Sequence, residues 1–337
     1  MGLKLPIPMA DLKFNVPMPY TISVDGELLE LTKQKLALAR YPDEQTDFGE
    51  GNWAQGAKVS CVKQLAEFWR DKYNLGRGRE AVRIVHPLTE PKDAADPAFH
   101  CIAPSIPGFG FSPAPTKLSK FCYTGWRFWL LYHRSIAIQY PKVVRAQHLN
   151  MFPVPPLSLW SASRAYLRWC LSAFTYSEFE NKALQVRRNF ETDQSGYLEQ
   201  QKTRPQTLGF ALGDSTVGLL AWFVEKFHDW GDVYEAFSDT DIITLVMMHW
   251  IQAFGRGMQE ADKTFEVDVS VPTGASMYAK EQLHCPRDWA DQAANIHYWK
   301  EYERGGQFSS LERPDMFVKD LPSFFSSPVV LKSYYCS

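Results

Sequence analysis

The sequence predicts an α/β protein, and three observations lead to that prediction. Alternating valines from Val267 to Val271 are followed by a proline, a threonine and a glycine at 272–274, which predicts a strand running into a loop. Residues 296–306 form a second β-rich run that ends in paired glycines. Between residues 155 and 264 the pattern is helical and rich in aromatic side chains.

Composition and charge narrow the class of protein. The chain has 337 residues and a formal net charge of −2, which gives no reason to expect a nucleic-acid partner. The first residues contain no long apolar run, so we expect no transmembrane anchor. The six cysteines are scattered without paired spacing. We therefore interpret them as reduced thiols of a cytoplasmic protein and expect no metal site.

The N-terminal part, up to about Asn74, predicts a helical extension. Asp25 and Gly26 open a leucine-rich segment that is interrupted by Pro42. A second helix follows, with apolar residues recurring on one of its faces: Val62, Leu65, Ala66 and Trp69.

The C-terminal motifs point to chemistry. Glu281 ends the run YAKE, and Gln307 lies 26 positions later in GGQFSSLERPD. Together the two runs resemble epoxide hydrolases of the microsomal type, whose pattern is FPxE followed by GGHFxxxExP. The resemblance implies an α/β-hydrolase core with Glu281 as the charge-relay acid. It also places Gln307 where this family has its catalytic histidine.

Two further blocks carry the same resemblance. The runs ARYPDE, GNWAQG and LAEFWRDKY resemble the family's N-terminal domain, and SGYLEQQKTRPQTLGFALGDSTVGLLAWFVEKFHDW resembles its cap. The cap text implies that Tyr197 donates a hydrogen bond to the epoxide oxygen. A second cap tyrosine is expected after Ile251, but the chain has Gly-Met-Gln-Glu at 257–260.

The resemblance divides the chain into four parts. We predict an epoxide-hydrolase-type N-terminal domain at 1–79, the first part of the hydrolase core at 80–154, the helical cap at 155–264 and the rest of the core at 265–337. The predicted sheet is incomplete, because two motifs of the family are absent. The oxyanion-hole motif HGWPGS is missing at 74–79, and the nucleophile motif QGGDWGS is missing at 121–133.

A change of reading frame accounts for both absences. With a suitable choice of synonymous codons, Thr124–Leu131 read one base later spells Gln-Gly-Gly-Asp-Phe-Gly-Ser. Two of those glycines are forced by the codons of Trp126 and Trp129. Leu75–Arg79 read two bases later spells Trp-Pro-Gly-Ser. We therefore expect a misassigned reading frame rather than an evolved deletion.

The function implied by the resemblance is hydrolysis of a small apolar epoxide to a vicinal diol, with water and no cofactor. The family's range includes detoxification and secondary metabolism. As written, the chain lacks the nucleophile, and glutamine cannot take up a proton near neutral pH, so we expect no turnover. A non-catalytic member that binds a small ligand, the product of a misassigned gene and a homodimer all stay open. An esterase would need GxSxG, which the chain does not contain.

Overall fold

A computed structural model describes most of the chain outside its N-terminus and several internal segments. The described residues are 23–44, 53–74, 83–93, 96–102, 111, 128–154, 160, 162–252 and 268–335. The side chains of residues 128–133, 334 and 335 are not among them. The expectations for Val267, Trp126 and the second cap tyrosine lie outside the described residues, as do residues 75–79 of the oxyanion segment and 121–127 of the nucleophile segment. The rest of the nucleophile segment, 128–133, is helical.

The described sheet has three parallel strands in the order β1-β2-β3. They are β1 (Gln147–Leu149), β2 (Val269–Lys280) and β3 (Ala294–Gly306). The connection from β1 to β2 passes through the long helical region, and that from β2 to β3 contains one short helix. Parallel strands joined by helical crossovers confirm the predicted α/β class.

The prediction that the first C-terminal strand stops at 272–274 is wrong. β2 continues through these residues, with register shifts against β3 between Val269 and Pro272 and between Thr273 and Gly274. Such irregularities accommodate a proline, which has no N–H to donate. A Cβ at Gly274 would lie 2.8 Å from Cδ2 of His148 and 2.9 Å from Cδ1 of Phe324. The glycine therefore permits close packing rather than a turn.

Helices surround the sheet. The N-terminal helices are α1 (Gly26–Ala37), α2 (Val59–Asp71) and α3 (Val85–Thr89), and α4 (Phe128–Gln139) precedes β1. Those between β1 and β2 are α5 (Ser163–Cys170), α6 (Ser172–Thr175), α7 (Glu178–Asn189), α8 (Gly196–Thr203), α9 (Pro205–Asp214), α10 (Thr216–Trp230) and α11 (Asp239–Trp250). A π turn (Phe190–Gln194) and a 3₁₀ turn (Tyr234–Ala236) lie among them. The C-terminal helices are α12 (Arg287–Ala290), α13 (Ser309–Glu312), α14 (Pro314–Phe325) and α15 (Pro328–Tyr335).

The N-terminal extension folds as expected and packs on the cap helices. The Asp25 side chain accepts a hydrogen bond from the Glu27 N–H at 2.9 Å, which caps α1. The predicted face of α2 is buried in the common core. Across this contact, Trp250 Nε1 donates to Thr32 Oγ1 at 2.8 Å. The extension and the cap therefore share buried hydrogen bonds as well as apolar surface.

The run FHCIAPSIPGFGFSPAP, which begins at Phe99, predicts from its sequence an apolar strand followed by a loop rich in proline and glycine, but residues 99–102 are not a strand in the structure. Its described part, up to Ile102, has no strand pairing, and Ile102 is 88% exposed. A strand forms only where its backbone groups pair with a neighbouring strand. Pattern alone therefore gave the wrong prediction at this segment.

Two other predictions concern residues that the structure describes. Cys61, Cys101, Cys170 and Cys285 are free thiols in the structure. Among the described helices, none is by itself long and apolar enough to cross a membrane, although α9 and α10 would qualify jointly as a pair bent by 111°.

A buried carboxylate on α14 ties that helix to the sheet. Asp320 is fully buried and accepts hydrogen bonds from Tyr298 at 2.8 Å, Tyr302 at 2.6 Å and Lys300 at 3.3 Å. It also accepts from the Ser276 hydroxyl, which in turn bonds His148 Nε2 at 3.2 Å. All three strands thus contribute to one polar network.

The network fixes the charge of Asp320. Burial raises the pKa of this carboxyl, but hydrogen bonds from Ser276 and the two tyrosines outweigh burial, so the net shift is downward. Burial also lowers the pKa of His148 to about 4, so that imidazole is neutral near pH 7. The charge on Asp320 is therefore stabilised by donors rather than by a neighbouring imidazolium.

We expect Asp320→Asn to lower the free energy of unfolding by about 3 kcal/mol at pH 7, because the donors lose a charged acceptor. The folded pKa lies below the unfolded value of about 3.9, so this stabilisation is present above that pH and is lost as pH falls through the folded pKa. Urea unfolding at pH 7 and pH 3 measures both effects. Asp315→Asn, at an exposed position of α14, is the matched control. Equal urea midpoints for the two variants at pH 7 would contradict the assignment.

Candidate active site

The candidate site lies where β2 and β3 end. In the parallel register Lys280 pairs with Gly306, and Glu281 and Gln307 are the next residues on each strand. The structure therefore brings the predicted acid position and the predicted base position to the same edge of the sheet. Carboxyl ends of parallel strands are where such folds place their reacting groups.

Glu281 is held at this edge by its local backbone. Its side chain is fully buried, and its Oε1 accepts from the Leu283 N–H at 3.4 Å. Its own N–H donates to the Tyr278 carbonyl at 3.0 Å. A carboxylate fixed in this way can orient and charge-stabilise a neighbouring base, which is the role the sequence predicted for it.

The turn that carries Gln307 requires both of its glycines. Gly305 has φ +102°, and a Cβ there would lie 2.7 Å from Cδ1 of Tyr278. A Cβ at Gly306 would lie 2.3 Å from the carbonyl oxygen of Trp230. Larger residues would push the turn away from the cap, so the glycines set the position of Gln307.

Backbone hydrogen bonds join this turn to the end of α10. The Gln307 N–H donates to the Trp230 carbonyl at 3.0 Å, and the Gly305 N–H donates to Asp232 Oδ2 at 3.0 Å. Gln282 Nε2 also reaches the Trp230 carbonyl, at 3.4 Å. The residues that follow both strands thus meet the cap at one carbonyl oxygen.

Glu312 completes the clamp from the other side. Its Oε1 accepts from the Phe308 N–H at 3.1 Å, and its Oε2 accepts from the Asp232 N–H at 2.5 Å. Burial raises the pKa of the Glu312 carboxyl. Burial also opposes ionisation of Asp232, but hydrogen bonds from Arg304 and Gly305 bring its pKa below the ordinary value. The carboxyl groups of Glu312 and Asp232 thus bind neighbouring parts of the turn, and their pKa values are shifted in opposite directions.

Tyr197 approaches from the cap. It lies in the first turn of α8, and its ring centroid is 5.2 Å from that of Trp230. The rings of Phe190 and Trp222 pack against it at 6.4 Å each. Because Trp230 also accepts the Gln307 N–H, one residue contacts both the cap tyrosine and the base position.

Sequence reasoning missed Trp230 and Asp232 as parts of the site. Trp230 is the last residue of the quoted cap text and Asp232 lies just beyond it, and neither was given a role. Trp230 contributes its main-chain carbonyl. Asp232 contributes its main-chain N–H and its side-chain carboxylate. Glu312 had a signal, since it occupies the glutamate position of the C-terminal motif.

Known proteins resemble this chain in sequence and in fold. The family model described as Epoxide hydrolase N terminus matches residues 17–90. A putative epoxide hydrolase of Stigmatella aurantiaca is 27% identical over 385 aligned positions, covering 91% of this chain and 84% of that protein. Epoxide hydrolase 1 of Sus scrofa is 29% identical over 73% of this chain, and the match spans 64% of the pig protein.

Solved structures agree on the fold. The Aspergillus niger epoxide hydrolase has a TM-score of 0.74 at 20% identity, covering 92% of this chain and 96% of that chain. The juvenile hormone epoxide hydrolase of Bombyx mori also gives 0.74, at 16% identity, covering 94% of each chain. In sequence and fold the chain is therefore similar to epoxide hydrolases, and residues 17–90 carry the match to their N-terminal domain. Its fold is the α/β-hydrolase fold, with a small parallel sheet in the described residues.

The alignment with the bacterial relative also bears on the motifs that are absent from this chain. Its 385 positions exceed the 337 residues of the chain by 48, so at least that many positions of the relative face a gap. The relative thus carries segments that this chain lacks. This agrees with a core that is truncated internally.

We expect Glu312→Gln to loosen the Gln307 turn. The amide group can accept from only one of the two N–H groups that Glu312 serves, and the other loses its acceptor at a cost of about 2 kcal/mol. Hydrogen exchange at the amides of Phe308 and Asp232 should become faster. Glu199→Gln, on the exposed face of α8, is the control and should leave both rates unchanged. Unchanged exchange in the Glu312 variant would refute the clamp.

Proposed function

We propose that the protein is an epoxide hydrolase whose chain, as written, is arrested: it keeps the relay acid and one cap tyrosine but cannot complete a turnover. The observation that carries the proposal is the pairing of Lys280 with Gly306, which sets Glu281 beside Gln307. In the family's chemistry those positions hold the acid and the base. The names of the relatives support an epoxide as the substrate class.

The chemistry defines what is missing. A carboxylate attacks an epoxide carbon, the C–O bond of the ring breaks, and an acidic hydroxyl such as that of Tyr197 donates to the oxygen that leaves. Water then attacks the resulting ester while a base takes its proton. The ester opens to return the carboxylate and release a diol. Gln307 has only an amide at the base position, and an amide does not accept a proton near neutral pH.

The polarity of the substrate, the compartment, the biological role and the oligomeric state are also part of the proposal, and each rests on fewer observations. The surroundings of Tyr197 are aromatic, which suits a small apolar epoxide. The free thiols among the described residues suit a reducing compartment, which supports the proposal of a cytoplasmic protein. Roles in detoxification or secondary metabolism, and a homodimeric state, belong to the same proposal and rest on the family alone.

We expect the protein as written to produce no diol. The test is incubation with styrene oxide at pH 7, with diol measured against a buffer blank. Gln307→Ala serves as a matched control and should give the same baseline, since neither side chain is a base. Saturable diol formation by the unmodified protein would overturn the proposed arrest.

Restoring the two absent motifs first and the base second should restore ester formation and ester hydrolysis one at a time. With an oxyanion motif restored at 74–79 and an aspartate-bearing motif at 121–133, we expect one equivalent of ester and no further reaction, because the base is still glutamine. Adding Gln307→His should allow turnover, with a rate that rises as pH passes the imidazole pKa of about 6.5.

Intact-mass measurement distinguishes the two repaired proteins. The Gln307 form should gain the mass of one substrate, and the histidine form should return to its own mass as diol accumulates. Repeated turnover without an adduct in the Gln307 form would show that another residue serves as the base.

A further inference from the structure

A buried lysine lies in the cap close to the candidate site. Lys226 is on α10, and the residue is only 6% exposed. Lysine is almost never this deeply buried unless its charge is compensated. Its surroundings therefore have to account for an ammonium group held away from water.

Aromatic rings supply much of that compensation. The ring centroids of Tyr197, Trp222 and Trp230 lie 5.1, 5.3 and 5.5 Å from Lys226 Nζ. All three distances are within the range in which a cation is attracted to a ring face. The ammonium is thus enclosed by a three-ring cage.

The cage follows from helix geometry. Trp222, Lys226 and Trp230 are spaced four residues apart on α10 and therefore lie along one face of that helix. Tyr197 reaches the same face from α8. The cation consequently lies where the ring of the cap tyrosine meets the helix whose last carbonyl holds Gln307.

The carboxylate of Glu225 balances the charge. Glu225 Oε1 is 2.5 Å from Lys226 Nζ, and the Glu225 side chain is 31% exposed. The lysine side chain is 7% exposed in the same pair. The positive charge therefore faces the rings, while the negative charge lies toward solvent.

We propose that Lys226 is a positioning residue for the cap tyrosine: its ammonium fixes the ring of Tyr197 and makes the hydroxyl a stronger hydrogen-bond donor. The inference rests on the proposed function, in which that hydroxyl donates to the epoxide oxygen. Lys226 itself transfers no proton and contacts no reacting atom in this scheme. It acts through the ring.

The physical argument is electrostatic. A cation over the ring face stabilises negative charge that develops on the phenol oxygen when the hydroxyl donates to a leaving alkoxide. Burial strengthens this effect, because the cage excludes water. On the adjoining elements Glu191 pairs with Arg187 at 2.8 Å, Glu199 with Lys202 at 3.5 Å and His228 with Asp229 at 2.7 Å, and Asp193 is exposed.

The test measures the hydroxyl of Tyr197 directly, without substrate. 3-Fluorotyrosine is placed at position 197 of the full chain, and its titration is followed by ¹⁹F NMR. In Lys226→Met the titration midpoint should rise by about one pH unit, because the cation is gone. Lys226→Arg keeps a cation and should return the midpoint toward that of the parent. Lys202→Met removes an exposed lysine from α8 and should change nothing.

Glu225→Gln gives an expected shift of opposite sign. Removing the carboxylate leaves the ammonium unbalanced, so the midpoint should fall below that of the parent protein. If Lys226→Met does not fold, this variant decides the matter. A midpoint that stays at the parent value in a folded Lys226→Met or in Glu225→Gln overturns the inference. Diol and adduct assays do not enter the measurement, so failure here is distinct from failure of the proposed reaction.

Discussion

The parallel pairing of β2 with β3 is the constraint on which the candidate site depends. A register slip of one residue along a strand would turn every side chain to the opposite face of the sheet. It would also separate Glu281 from Gln307, because each follows directly after the pair Lys280–Gly306. The irregularities near Pro272 and Gly274 lie toward the start of β2, while Gly274 through Tyr278 pair in an unbroken run with Tyr298 through Tyr302. A further register shift lies between Tyr278 and Lys280, so the unbroken run ends just before the pair that sets Glu281 beside Gln307.

The end of α10 makes the site depend on the cap as well as the sheet. Trp230 contributes its ring to the packing around Tyr197 and its carbonyl to the Gln307 N–H. Asp232, two residues later, receives the Gly305 N–H and donates its own N–H to Glu312. A movement of the cap would consequently move the turn. The cap and the core are coupled through main-chain groups. The types of side chain in the sequence do not reveal such contacts.

Family motifs predicted some parts of this arrangement, and local sequence patterns gave wrong predictions for others. Glu281 and Gln307 were found because their runs match a family pattern, and parallel strands bring such ends together. The helices of the extension were found because Val62, Leu65 and Trp69 recur at helical spacing. The apolar run at Phe99 predicted a strand, but residues 99–102 do not form one, since an apolar run says nothing about whether a partner strand is present. The break at 272–274 was also wrong, because a glycine needed for close packing looks the same in sequence as one needed for a turn.

Gln307 shows how chemistry and folding separate at this site. The contact that fixes its backbone is its N–H bond to Trp230, and that bond does not depend on which side chain the residue carries. The glycines before it are required by backbone geometry, and the carboxylates of Asp232 and Glu312 hold the main chain on either side. A substitution at this position can therefore remove the base while the turn stays formed. Loss of a histidine at position 307 would change the fold little, because the surrounding hydrogen bonds involve main-chain groups and not this side chain.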